Sequence, residues 1–195
     1  YVENIHILAK NIVVLGEDRE TTIIDGNQSG PVVHIESGDG AMGETEIDST
    51  SQFSGFTIQN GYGSWIGGIG CDNCMGATLS NLIITENTNT HNGGGVYLSG
   101  DHIIMDDVII SGNIASDNGG GIWASTSELT LEHCVIDSNY AHGIWGGGGI
   151  YFSGSTLNVI DWTSINFNYS ESQGGGIYID NSNINLENMI INGNT

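Results

Sequence analysis

The chain has 195 residues, of which 31 are glycine and one is proline, and its 23 acidic side chains face two basic ones for a formal net charge of −21. Lys10 and Arg19 are those two cations, so a nucleic-acid partner, whose phosphates must be neutralised by cationic side chains, is excluded. No run of eighteen apolar residues occurs, which excludes insertion as a membrane-spanning helix.

Residues 1–60 read as irregular N-terminal coils and residues 61–195 as five regular ones, together one elongated domain. The regular part is announced by a recurring phrase: Gly67-Gly68-Ile69-Gly70, Gly93-Gly94-Gly95-Val96-Tyr97, Gly119-Gly120-Gly121-Ile122-Trp123, Gly147-Gly148-Gly149-Ile150-Tyr151 and Gly174-Gly175-Gly176-Ile177-Tyr178. From Ile69 the apolar residue closing each glycine run follows at 27, 26, 28 and 27 residues. A period in this range predicts a solenoid, in which each repeat contacts only its neighbours. From Ile122, apolar residues fall at Ala124, Leu129, Leu131, Cys134 and Ile136, and Asn139 closes the coil; Val96 and Ile177 start series with the same offsets. Period-two alternation broken by turns predicts three strands per coil. The Ile69 and Ile150 coils each need one extra residue to stay in register, as expected of insertions in turns.

The glycine phrase, followed by segments such as Leu82-Ile83-Ile84-Thr85-Glu86-Asn87 and Val108-Ile109-Ile110-Ser111-Gly112-Asn113, resembles the repeats of the pectate-lyase-like superfamily, and within it large, secreted, repetitive bacterial surface proteins. Tyr1–Ile5, Asn11–Gly16 and Thr22–Gly26 are similar to the early coils of those proteins. The resemblance implies an all-β, single-stranded right-handed parallel β-helix of about seven coils of 26–28 residues. It also implies an extracellular or cell-surface setting, and a rod roughly 30 to 35 Å long at the usual strand spacing. It leaves activity open, because lyases, hydrolases, adhesins and inert stalks share the scaffold. The polyuronate-cleaving enzymes of the superfamily hold their acidic substrate with cationic side chains, and the regular coils here contain none.

Stacking the coils predicts ladders. Asn87, Asn113, Asn139, Asn168 and Asn194 stand at one level, and asparagine tolerates a left-handed backbone while bonding its amide to neighbouring coils, so a structural ladder is expected. Tyr97, Trp123, Tyr151 and Tyr178 alternate with inward residues and should line one outer face. They either stack for stability or offer a stripe to a neutral glycan or a neighbouring protein. Asp106, Glu132, Asp161 and Glu187 should form an acidic stripe, either solvated or holding calcium, with no cofactor required. Cys71 and Cys74 are expected as a local disulfide or two free thiols, the secreted setting favouring the former, and Cys134 as a small core residue. The six histidines occupy different offsets and form no evident ligand cluster.

Catalytic residues stay unassigned. A carboxylate pair would be needed for glycoside hydrolysis, and Asp137 with Asp161 qualifies only by lying in adjacent coils. The absence of an initiator methionine and of a leader suggests a processed protein or part of a longer one. Solenoid ends need polar caps, so contacts of Tyr1 and Thr195 with further chain or another molecule are expected. The expected role is structural or adhesive, as a filament-forming or surface-displayed subunit with self-association through the ends or the aromatic face; the alternative is a carbohydrate-active enzyme, a glycoside hydrolase or polysaccharide lyase, or a glycan-binding module acting on neutral polysaccharide.

Overall fold

The computed structural model describes residues 1–38 and 47–195 and winds the chain into a seven-turn parallel β-solenoid; among the described residues no helix occurs. Three parallel sheets run along it. The first sheet takes one strand from every coil: Ile5–Leu8, Val33–Glu36, Ile69–Asp72, Val96–Ser99, Ile122–Ser125, Ile150–Ser153 and Ile177–Asp180. The second contains eleven strands, including Met75–Thr85 and His102–Ser111, which bend at left-handed residues Asn81 and Asp107. In the next coil the same bend, at His133, separates Glu128–Glu132 from Val135–Asp137. The third sheet is built from two-residue strands just after the ladder asparagines, such as Thr88–Asn89, Ile114–Ala115 and Tyr140–Ala141.

Alternation explains the core. Val96, Leu98, Ile103, Met105 and Ile110 are wholly buried and pair one coil on with Ile122, Ala124, Leu129, Leu131 and Ile136, also wholly buried, as are Val108 and Cys134 beside the bend. Each large aliphatic side chain so placed contributes about 1.5–3 kcal/mol of transfer free energy. Volume is balanced between coils, since small Ala124 stacks on Phe152.

The extra residues fall in two kinds of place. In the Ile69 coil it is a bulge at Gly76, where the register shifts between Met75↔His102 and Ala77↔Ile103, and so not in a turn. In the Ile150 coil it lies at the bend, where Asp161 and Trp162 both have positive φ. The left-handed backbone expected at the ladder asparagines belongs instead to the residue before each: Glu86, Gly112, Ser138, Phe167 and Gly193. The glycine run serves close approach: a Cβ on Gly121 would lie 2.6 Å from the carbonyl oxygen of Gly149 and 3.0 Å from Nδ2 of Asn139.

Candidate functional site

The asparagine column is continuous. Oδ1 of Asn139 accepts from both the backbone N–H and the Nδ2 of Asn113, each at 3.0 Å, while Nδ2 of Asn139 donates to Oδ1 of Asn168 at 3.0 Å and to the Ile110 carbonyl at 2.9 Å. Both lone pairs and both amide hydrogens are thereby used. Asn87 and Asn113 repeat the pattern, Asn168 passes it to Asn194, and Asn87 accepts from the Gly61 N–H at the other end. The four asparagines from Asn87 to Asn168 are buried, so the column serves the fold and offers nothing to a ligand.

The outer face of the first sheet carries two columns. In one, His6, His34, Gly70, Tyr97, Trp123, Tyr151 and Tyr178 are in register. Tyr97 stacks on Trp123 with centroids 4.7 Å apart, Trp123 on Tyr151 at 6.4 Å and Tyr151 on Tyr178 at 5.2 Å, with interplanar angles of 14°, 3° and 4°. The four expected aromatics are thus together, half-buried, with their faces turned to one another along the rod. Stacking covers the ring faces between neighbours in the row, whereas a sugar platform needs an open ring face. The second column runs Leu8, Glu36, Asp72, Ser99, Ser125, Ser153, Asp180.

The histidines contradict their expected dispersal. His6 and His34 are strand partners with rings stacked 4.8 Å apart, His6 Nε2 lies 3.2 Å from Glu36 Oε2, and His34 Nε2 lies 2.8 Å from Asp72 Oδ2. The signal was present in the sequence, because Ile5-His6-Ile7-Leu8 and Val33-His34-Ile35-Glu36 share an apolar-His-Ile pattern 28 residues apart. It was hidden because the glycine phrase that sets the register begins only at Gly67.

The acidic stripe is broken. Asp106 and Glu132 are partners, but Glu132 faces Ile160, because the residue inserted at the bend pushes Asp161 out of line. An aliphatic side chain therefore stands between Glu132 and the level of Glu187, and the four carboxylates do not form the single stripe expected. Asp106 is engaged with His133, whose Nδ1 lies 2.8 Å away; this bond raises the imidazole pKa above its ordinary value. Asp137 is level with Asn166, so it does not pair with Asp161.

Cys71 and Cys74 are free thiols, and with Cys134 all three are buried. The bridge favoured for a secreted setting is not formed: Cys71 points into the core as a strand partner of Leu98, and Cys74 Sγ is directed at the carbonyls of Ile35 and Asp72 at 3.6 and 3.7 Å. A hydrogen bond between the two thiols and then burial raise the Cys71 pKa. Burial pushes Cys134 up to about 12.

Asp101, unmarked in the sequence, is the most perturbed carboxylate among the described residues. It is 3% exposed, and burial drives its pKa to about 8 even though Oδ1 accepts from the Cys74 N–H and Oδ2 from the Ser99 N–H, each at 2.6 Å. The same turn in later coils holds Ser127, Ser155 and Ser182, linked by N–H to Oγ bonds of 3.2, 3.0 and 3.1 Å. Along this turn column runs a shallow groove of about 340 Å³ lined by Asp101, His102, Ser127, Glu128, Thr156 and Asn183 among others. Among the described residues lining it Glu128 is the only other carboxylate, and Asp101 is committed to backbone amides, so these residues do not present the free pair that glycoside hydrolysis uses. On the third sheet Tyr140 donates to Glu171 at 2.6 Å and His142 Nδ1 lies 3.0 Å from the same oxygen, holding that carboxyl below its usual range.

A parallel solenoid of three sheets with stacked polar and aromatic columns defines the class as a β-helix. The family described as the right-handed β-helix region matches residues 11–157 and 67–195, and the chain belongs to that family. No curated protein and no solved structure matches it.

Proposed function

We propose that this chain is a structural or adhesive rod displayed outside the cell or on its surface, associating laterally through its aromatic face. The observation that supports this most is that side chains able to do chemistry are spent on coil-to-coil ladders. The asparagine amides are saturated within the rod, the Tyr97–Tyr178 rings stack on one another, and the most perturbed carboxylate clasps two main-chain N–H groups. Such a surface is regular along the axis, as suits a repeating lateral contact, with tyrosine and tryptophan at its centre and acidic surroundings that oppose indiscriminate sticking.

Analytical ultracentrifugation and electron microscopy of the purified chain test this. Lateral assembly that weakens in a Trp123→Ala, Tyr151→Ala double variant with an unchanged circular dichroism spectrum is the expected result. A second reading, a module for neutral glycans, is favoured by the polar groove beside Asp101. A monomer at high concentration together with glycan binding or turnover would replace the first reading with the second.

A further inference from the structure

The outer face of the first sheet has an N-terminal patch that the structural reading leaves unused. His6, His34 and Glu36 each offer a ligand atom within 4.8 Å of the others. Two of these groups lie on adjacent parallel strands and the third diagonally across, so the sheet holds their backbones at fixed spacing. Neighbouring ligands on a metal with bonds of about 2.0–2.2 Å stand about 2.9–3.5 Å apart. The His6–Glu36 separation of 3.2 Å already lies in that range. What must close is the gap between the two imidazoles, whose centroids are 4.8 Å apart. The His6 side chain is 52% exposed and free to tilt, whereas His34, 23% exposed, is held by Asp72. The other side of His34 is closed as well: Gly70 has no side chain, and buried Ile66 lies over it.

We propose that His6, His34 and Glu36 bind one divalent transition-metal ion of the zinc class. Two imidazoles and a carboxylate suit zinc, copper, nickel or cobalt, whereas calcium prefers an all-oxygen set. The ion clips the first coil to the second. That coil is otherwise thinly covered: Val13 and Leu15 are 54% and 64% exposed. Binding to the folded state alone raises its stability.

The test is isothermal titration of the purified chain with zinc chloride, in low and in high sodium chloride, with the visible spectrum of added cobalt as a second readout. The net charge of −21 attracts any cation loosely, and salt screens that attraction. The expected result is one saturable equivalent that survives high salt and protects the amides of Ile5–Leu8 from hydrogen exchange. Affinity should fall at least about tenfold in His6→Ala and in His34→Ala, and stay unchanged in His102→Ala. If His34→Ala does not fold, His6→Ala decides, since that ring is largely in solvent. Several weak equivalents lost in high salt, or equal affinity in His6→Ala, would overturn the assignment.

Discussion

Removing one amide from the asparagine column should cost far more than a surface substitution. In Asn139→Ala, four hydrogen bonds disappear: two accepted by Oδ1 from Asn113 and two donated by Nδ2 to Ile110 and Asn168. At about 0.5–1.5 kcal/mol net for each bond, the loss is about 2–6 kcal/mol, with the upper part favoured because the buried Asn113 N–H keeps no partner. Collapse of the coil around a methyl cannot supply one, since the neighbouring strands are fixed by their ladders. Asn194→Ala should cost less, because that side chain is only part-buried. Urea denaturation followed by circular dichroism measures the midpoint, and hydrogen exchange locates the weakened coils, which is needed because a solenoid need not unfold in one step. An unchanged midpoint in both Asn139→Ala and Asn113→Ala would refute the argument that these bonds hold the coils together.

Asp101 gives a pH signature. Its proton is held more tightly in the folded chain, with a pKa near 8, than in the unfolded one, so its contribution to stability is greatest at low pH and is lost as pH rises from about 4 to about 8. Asp101→Ser, which places at this turn the residue found at Ser127 and Ser155, should flatten that part of the stability profile and stabilise the protein most above about pH 8; parallel profiles for the two proteins would contradict the raised pKa. The three cysteines should resist alkylation by iodoacetamide at neutral pH in the folded chain and react at once in denaturant, since all are buried and the pKa values of Cys71 and Cys134 are raised. Rapid labelling of folded protein would show that the thiols open to solvent.

The architecture is legible in the sequence because a solenoid is a local rule repeated: the spacing of glycine, inward aliphatics and asparagine within one coil fixes where each stands in the next. Ladders without insertions, such as Tyr97 on Trp123, are legible for that reason. What depends on accumulated register or on burial emerges only once the coils are stacked. One residue added near Trp162 moved Asp161 off the level of Glu132, and no local pattern says on which side of a bend such a residue is absorbed. The shared level of His6 and His34 runs through coils with no glycine phrase to count from. Asp101 reads in the sequence like any turn aspartate beside glycine, and its proton affinity comes from the coils that close over it.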